Sequence, residues 1–130
     1  MEFWKMNGAG NDFLVLNNLE EHLPVDRLPE IARTLRAAGA AELGTSRLEQ
    51  VARCRAAGVE GPFLLIRIPG LSELADTVAL CDMSLQSETA TLDALEQECL
   101  RQGRTHSVIV MADLGDLRER MGRMLSLIHI

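Results

Sequence analysis

Apolar residues recur along the chain in short runs, which are separated by segments rich in glycine, serine and charged residues. The most continuous run spans residues 108–112, is rich in β-branched side chains and is followed directly by Asp113, Gly115 and Asp116. An unbroken apolar run of this kind is typical of a strand that is covered on both faces, as in a parallel sheet. Because ligands bind at the C-terminal ends of parallel strands, we expect chemistry directly after this run.

The same succession of strand and helix precedes this run three times. The predicted strands lie near 42–44, 63–68, 83–85 and 108–112, and the predicted helices at 47–57, 73–80 and 87–103. Ser46, Ser72 and Ser87 stand where each helix needs an N-terminal cap. Three such crossovers require a parallel sheet with right-handed connections. The pattern leaves open whether the sheet is doubly wound or is an arc of an eight-stranded barrel, which when complete needs about 250 residues.

Two further elements are predicted before this series. Apolar runs at 3–6 and 13–16 flank the turn-forming segment 7–12, a pattern that predicts a β-hairpin with a long, glycine-rich loop. An amphipathic helix is predicted to begin at Asp26 and to end at Gly39. The predicted fold class is therefore α/β: a partial parallel (β/α) barrel of about four βα units, preceded by a β-hairpin and a helix.

Composition and charge indicate a single soluble domain and argue against nucleic-acid and membrane partners. The chain has 130 residues, of which 47% are hydrophobic and 25% charged, as expected for one soluble domain with its own core. A net charge of −6, with only three Phe and one Trp, argues against a nucleic-acid partner. The apolar runs are too short to span a bilayer and no signal-peptide pattern is present, so we expect a cytoplasmic protein without membrane contact. The three His and three Cys lack ligand spacing, and no metal site is predicted.

A series of short motifs accompanies the predicted strands. In chain order they are Ser46-Arg47-Leu48-Glu49, Ala56-Ala57-Gly58-Val59, Leu65-Ile66-Arg67-Ile68-Pro69, Leu71-Ser72-Glu73, Asp82-Met83-Ser84-Leu85 and Asp113-Leu114-Gly115-Asp116-Leu117-Arg118-Glu119. With them, residues 37–119 resemble the first barrel half of the fold-type III pyridoxal-phosphate racemases, above all the alanine/ornithine racemase family. The resemblance implies a TIM-type barrel, a pyridoxal phosphate cofactor and inversion at Cα of a free amino acid. Gln50 and Gln86 depart from it, since that family usually has asparagine at both positions.

The first residues resemble a different family. Phe3-Trp4-Lys5-Met6 and Gly8-Ala9-Gly10-Asn11-Asp12-Phe13 are similar to the N-terminus of diaminopimelate epimerase, a cofactor-independent enzyme of lysine biosynthesis. That resemblance implies that Asn11 contacts the substrate. The predicted division is an epimerase-like segment at 1–36, a partial alanine racemase-type barrel at 37–124, and an unrelated tail at 125–130 that resembles a translated sequencing adaptor. We therefore expect a chimera or a truncated fragment.

Neither inversion mechanism is complete in the sequence. The pyridoxal route needs a lysine that forms an imine, and Lys5 is the only lysine of the chain. In the racemase family the cofactor lysine ends a strand before the segment that matches Ala37, whereas Lys5 lies in the epimerase-like segment, where it has no such role. The catalytic residue is therefore unassigned, and we expect no bound cofactor.

The cofactor-free route needs two cysteines, one as thiolate base and one as thiol acid. Cys54 lies in a helical context, and Cys81 and Cys99 match no epimerase motif. The cysteine pair of that family is thus not found either.

Four residues are candidates for binding the substrate. Asn11 is carried over from the epimerase resemblance. Arg67 at the end of a predicted strand is suited to a carboxylate or phosphate, or equally to an ion pair with a neighbouring acidic residue. Asp113 and Asp116 are suited to a substrate amine, or equally to capping a turn.

The sequence therefore predicts a fragment of an amino-acid racemase or epimerase that is inactive as it stands. A fragment of diaminopimelate epimerase and a non-catalytic α/β module remain as alternatives. The expected partners are a small-molecule amino acid and further copies of the chain, paired through exposed sheet edges.

Overall fold

The computed structural model describes residues 3–8, 10–16 and 23–111, and it contains two separate β-sheets. The elements in chain order are β1 (Phe3–Gly8), β2 (Asn11–Leu16), α1 (Leu28–Ala37), β3 (Leu43–Thr45), α2 (Leu48–Ala56), β4 (Phe63–Leu65), α3 (Leu74–Leu80), β5 (Met83–Gln86), α4 (Thr89–Gln102) and β6 (Ser107–Val110). Single turns of 3-10 helix, Val25–Arg27 and Leu71–Glu73, lead into α1 and α3. No helix in the described part of the chain is long and apolar enough to cross a membrane.

The larger sheet has four parallel strands in the order β3-β4-β5-β6. Strands β3, β4 and β5 are each followed along the chain by a helix that returns to the start of the next strand, as parallel pairing requires. The predicted mixed α/β fold with a parallel sheet is confirmed. Strand β4 is shorter than the predicted 63–68, since its pairing ends at Leu65.

The two faces of this sheet differ in burial. Phe63 and Leu65 of β4 pack with Val51 and Cys54 of α2 in the main core. Leu65 is in register with Ser84, so the two residues point to the same, helix-covered face. The register places Leu64 and Met83 on the opposite face, where they are only partly buried. One face of the sheet is therefore covered by helices and the other is open.

The predicted serine caps are not formed. Helices α2, α3 and α4 begin after Arg47, Glu73 and Glu88, and none of these residues makes a side-chain capping bond. At α2, the hydroxyl of Thr45 instead accepts a hydrogen bond from the Arg47 backbone N–H. Strand β3 ends at Thr45, one residue later than predicted. The Thr45 hydroxyl therefore makes the hydrogen bond that was expected of Ser46.

The prediction that the run at 108–112 is a strand covered on both faces is wrong for its described part. Strand β6 spans Ser107–Val110 and every residue in it is exposed. It pairs with β5 on one side and is the last strand in the sheet order. Among the described residues β6 has a neighbouring strand on one side only, and so an apolar sequence does not ensure burial.

The smaller sheet is an antiparallel ribbon formed by β1 and β2. The predicted hairpin is confirmed, but its loop is much shorter than the predicted 7–12. Pairing extends to Asn7 with Asp12 and Gly8 with Asn11, and Gly10 adopts a positive φ of 82° at the turn. The Asn7 side-chain amide also donates to the Asp12 carboxylate, and this bond supports the tight turn.

Candidate functional site

The C-terminal edge of the parallel sheet is organised around Arg67, which follows β4. Its Nε donates to the Ser46 carbonyl oxygen at 2.7 Å and so connects the loop after β4 to the loop after β3. Its two terminal nitrogens donate to the two carboxylate oxygens of Glu73, each at 2.7 Å. Such a paired geometry fixes the plane of the guanidinium group. The structure thus shows Arg67 in the ion pair with a neighbouring acid that was one of its two predicted roles.

Glu73 is stabilised as a carboxylate at this edge. The hydrogen bonds from Arg67, and next that from the Gly70 N–H, lower the pKa of Glu73 from 4.5 to about 2. The same pair raises the pKa of Arg67. Both side chains keep about a third of their surface in water. The pair therefore remains charged throughout the neutral range and is partly accessible to solvent.

A buried polar chain runs along the helix-covered face of β5. The Gln86 amide donates to Ser84 Oγ at 3.1 Å, and Ser84 Oγ lies 2.9 Å from Nε2 of His106. Ser84 and Gln86 are fully buried, and burial lowers the pKa of His106. Because Ser84 has no access to solvent, this serine and histidine are arranged as packing groups and not as a nucleophile and its base.

Two polar atoms near the C-terminal end of β5 lack partners. Within the described residues, no hydrogen bond reaches Gln86 Oε1 or Ser87 Oγ, although both atoms are buried. Gln86 is one of the two positions at which this sequence departs from the racemase pattern. The other, Gln50, accepts a hydrogen bond from Thr45 Oγ1. Of the two glutamines, only Gln50 has its side-chain oxygen paired.

The N-terminal edge of the sheet contains a second arginine–carboxylate network. Asp82 accepts hydrogen bonds from Arg55 Nη2 and from the Phe63 N–H, both at 2.7 Å. Arg55 also donates to the Leu80 carbonyl and lies over the Phe63 ring, 4.7 Å from its centroid. A side chain at Gly61 would place its Cβ only 2.7 Å from Asp82 Oδ2, so this position requires glycine. This network joins the starts of β4 and β5, far from the loops that bind ligands in parallel sheets.

Lys5 belongs to the ribbon and not to the parallel sheet. Its ammonium group lies 3.1 Å from an Asp12 carboxylate oxygen, and both side chains are mostly exposed. A lysine that forms an imine needs a site that excludes water, and Lys5 on the ribbon is not in such a site. No strand of the parallel sheet carries a lysine. The residues present therefore do not fit pyridoxal phosphate.

The three cysteines are poorly suited to acid–base work. Burial raises the pKa of Cys81 to about 11 and also raises the pKa of Cys54. Cys99 on α4 is partly buried, and its pKa is raised as well, chiefly by burial. Thiols with raised pKa values remain protonated at neutral pH, whereas the cofactor-free route needs one thiolate.

The remaining candidates are not brought together by the described structure. Asn11 lies in β2 at the turn of the ribbon, and Asp113 and Asp116 lie outside the described residues. No cluster of three metal-ligating side chains occurs among the residues that the structure describes. Of the predicted substrate-binding residues that the structure describes, Arg67 lies at the C-terminal edge of the parallel sheet and Asn11 does not.

Concave surfaces lie away from that edge. One, of about 390 Å³, is lined by Arg33, Arg36 and residues 58–61, which precede β4. Another, of about 420 Å³, lies between α4 and the start of β6 and includes Cys99 and His106. Both are wide open to solvent, and neither includes Arg67. They are grooves beside the helices rather than a substrate pocket.

Sequence reasoning did not identify several of these polar residues. Glu73, Ser84 and Gln86 were noted only as parts of family motifs, and His106 only as a residue without ligand spacing. A polar alternation in Ser84-Leu85-Gln86 within an otherwise apolar strand was the available signal, because polar side chains on a buried face need partners.

Comparison with known proteins agrees with the fold. Residues 27–126 match the family described as alanine racemase, N-terminal domain. The chain is 41% identical over 91 residues to a lysine racemase of Thermotoga maritima, an alignment that covers 70% of this chain and 26% of that protein. It is 50% identical over 56 residues to an ornithine racemase of Acetoanaerobium sticklandii, which covers 43% of this chain and 16% of that protein. The chain thus spans about a quarter or less of the length of these relatives.

A solved structure shows the same architecture. An alanine racemase of Clostridium difficile 630, in complex with cycloserine, superposes with a TM-score of 0.57 over 64% of this chain and 24% of that chain, at 15% identity. The likeness confirms the predicted partial barrel, because the four parallel strands and their helices correspond to one arc of it. Sequence and fold together show that this chain belongs to the alanine racemase N-terminal domain family.

Proposed function

We propose that the chain is part of an amino-acid racemase whose complete form inverts Cα of a free amino acid with pyridoxal phosphate. The observation that carries this proposal is the C-terminal edge of the family's parallel sheet, where Arg67 joins the loops after β3 and β4. Inversion requires removal of a weakly acidic Cα proton and its return from the other face, for which pyridoxal phosphate acts as electron sink when bound. This chain contributes the rim of such a site.

The proposed substrate class is a basic amino acid of the ornithine type. The relatives named above are a lysine racemase and an ornithine racemase. Each of their substrates has a carboxylate at Cα. Arg67 uses three of its N–H groups on Ser46 and Glu73, and a guanidinium group has about five. We propose that the other N–H groups bind the substrate carboxylate in the complete enzyme.

We further propose that the chain by itself does not catalyse the reaction. Its only lysine is in the exposed ion pair with Asp12 on the ribbon, and no residue replaces it at the sheet edge. The pyridoxal site is therefore incomplete here. The alternative of a diaminopimelate epimerase fragment gains no support from the thiols, whose pKa values are raised. The epimerase-like origin of residues 1–36 and the boundaries at 36 and 124 remain predictions from sequence.

A segment exchange tests the racemase proposal. Residues 43–110 of this chain replace the matching segment of the Thermotoga maritima lysine racemase, and racemisation of lysine and ornithine is followed by circular dichroism. We expect the hybrid to retain racemase activity and to lose most of it with Arg67→Ala, while Arg101→Ala on the surface of α4 serves as the control. A folded, cofactor-loaded hybrid without activity would favour the non-catalytic module.

A second experiment tests whether the chain itself is inactive. The protein is incubated with pyridoxal phosphate and then borohydride, and intact mass is measured for the natural chain and for Lys5→Arg, which keeps the positive charge. We expect no stoichiometric adduct on either. A full adduct on the natural chain that is absent in Lys5→Arg would show a working imine lysine and overturn this part of the proposal.

A further inference from the structure

Glu73 closes the loop that leads from β4 to α3. Its carboxylate accepts hydrogen bonds from both terminal nitrogens of Arg67, each at 2.7 Å, and from the Gly70 N–H at 3.0 Å. Its carbonyl oxygen accepts a hydrogen bond from the hydroxyl of Thr77, a fully buried residue of α3. Glu73 is therefore fixed to the loop by its side chain and to α3 by its backbone.

Arg67 is held by groups from two different loops. Its Nε donates to the Ser46 carbonyl oxygen in the loop after β3, whereas its terminal nitrogens donate to Glu73 before α3. An arginine side chain has several rotatable bonds, and fixing it in one geometry costs conformational entropy. Without the Glu73 carboxylate, Ser46 would be the only hydrogen-bond partner of Arg67 among the described residues. Glu73 thus supplies most of the restraint on the plane of the guanidinium group.

A second arginine–glutamate pair of this chain differs in what it connects. Arg101 and Glu98 lie three residues apart on α4 and are joined through Nε and one terminal nitrogen of Arg101. The Arg101 guanidinium lowers the pKa of Glu98 to about 2, as Arg67 does for Glu73. The two carboxylates are thus stabilised to a similar extent. The Arg101 pair stays within one helix, whereas Arg67 connects two loops at the edge where parallel sheets bind ligands.

We propose that Glu73 is a positioning residue, which holds Arg67 in the orientation that receives the substrate carboxylate. This inference rests on the proposed function, in which the remaining N–H groups of Arg67 bind that carboxylate. Each terminal nitrogen has a second N–H, and no further hydrogen bond of Arg67 occurs among the described residues. A donor that is already ordered loses less entropy on binding an anion than a mobile donor does.

The charge of Glu73 opposes this positioning effect. A carboxylate beside the guanidinium group reduces the positive potential that attracts the substrate carboxylate. Both side chains keep about a third of their surface in water, and solvent and salt screen this repulsion. The geometric restraint on Arg67 is not screened in that way. We therefore expect loss of the Glu73 carboxylate to weaken substrate binding.

The contacts that hold Arg67 lie within the part of the fold that this chain contains. Ser46 lies between β3 and α2, and both Gly70 and Glu73 lie between β4 and α3. These residues fall inside the segment 27–126 that matches the family domain. The arrangement therefore does not depend on the parts of the racemases that this chain does not span.

Nuclear magnetic resonance of the full chain tests the restraint on Arg67. Exchange of the Arg67 Nε–H with water is measured in the natural chain, in Glu73→Gln and in Glu98→Gln as the matched control. We expect Glu73→Gln to accelerate this exchange about tenfold, and Glu98→Gln to leave it unchanged. Equal rates in Glu73→Gln and the natural chain would overturn the proposal, because Ser46 alone would then fix Arg67.

Steady-state kinetics of the lysine racemase hybrid tests the consequence for the substrate. Because the carboxylate is bound both before and during inversion, loss of positioning raises KM and leaves kcat nearly unchanged. We expect Glu73→Gln to raise KM for lysine about fivefold or more, and Glu98→Gln to change neither constant. A purely structural role would lower kcat through loss of folded enzyme and leave KM unchanged, and that result would contradict the proposal.

A double variant separates this inference from the proposed function. If Glu73 acts through Arg67, Glu73→Gln should not lower kcat/KM further once Arg67→Ala is present. Additive losses, or a lower KM in Glu73→Gln alone, would refute the positioning role and leave the proposed function intact. An Arg67→Ala hybrid with unchanged KM would instead refute carboxylate binding by Arg67, and the positioning role with it. Far-ultraviolet circular dichroism identifies an unfolded variant, and Glu73→Ala then replaces Glu73→Gln.

Discussion

The ribbon and the parallel sheet contain apolar strand residues of similar chemistry but bury them to very different extents. Leu65 in β4 has no exposed surface, because β3, β5 and α2 surround it, whereas more than half of Met6 in β1 is exposed. Both strands have the β-strand periodicity that sequence analysis recognises. The difference shows that burial depends on the layers above and beside a strand, and none of the described elements forms such a layer over the ribbon.

The largest difference in the free energy of unfolding is expected between a core substitution in the parallel sheet and a matching substitution in the ribbon. We expect Leu65→Ala to lower the free energy of unfolding by about 2–5 kcal/mol, since it leaves a cavity among well-packed side chains. Met6→Ala should change it by less than about 0.5 kcal/mol, as is usual for exposed positions. Urea denaturation followed by circular dichroism measures both. Equal losses in the two variants would mean that the ribbon is packed in solution as firmly as the sheet.

Removing an ion pair should also cost more stability in the parallel sheet than in the ribbon, although the difference is smaller than for the core substitutions. Asp82 accepts two hydrogen bonds in a partly buried position, so Asp82→Asn should cost about 1–3 kcal/mol of stability. Asp12→Asn in the exposed ribbon should leave the free energy of unfolding unchanged, because water screens its pair with Lys5. Both variants are compared with the natural chain by urea denaturation. A larger effect of Asp12→Asn would contradict the assignment of stability to the sheet.

The smallest effect concerns acid stability. Glu73 has a pKa of about 2 in the folded chain against 4.5 when unfolded, so its contribution is complete above about pH 4.5 and is lost as pH falls from 4.5 to 2. Because the pair is partly exposed, we expect about 0.5–1 kcal/mol after solvent screening. Glu73→Gln should reduce the difference in stability between pH 5 and pH 2.5 by that amount. An unchanged difference would show that Arg67 does not hold this carboxylate in solution.

Much of the parallel sheet was predictable, because each helix and strand leaves a local pattern. The order of the elements and the hairpin follow from periodicity, and the ends of α1, α2 and α4 follow from Gly39, Gly58 and Gly103, which adopt positive φ. The family motifs also placed Arg67 at a strand end. The predicted serine cap of α2 failed because β3 ends one residue later than predicted, at Thr45, and local sequence does not determine where a strand ends.

The polar contacts could not be predicted in the same way. Arg55 and Asp82 are 27 residues apart, and Ser84 and His106 are 22 residues apart. They meet only because β4, β5 and β6 become neighbours in the sheet. The sequence also left open whether Arg67 binds a substrate or a neighbouring acid. The path of the loop after β4 brings Glu73 to Arg67, and local sequence does not determine that path.

The sequence by itself determined the alternation of strands and helices, the parallel sheet and the racemase family, because these depend on local periodicity and on contiguous motifs. It also showed that Lys5 is the only lysine available for an imine. Only the tertiary structure decided which faces are covered, that β6 is an exposed edge, and which charges are paired. The physical reason is that burial and ion pairing depend on neighbours in space, and adjacent strands bring together residues that are distant along the chain.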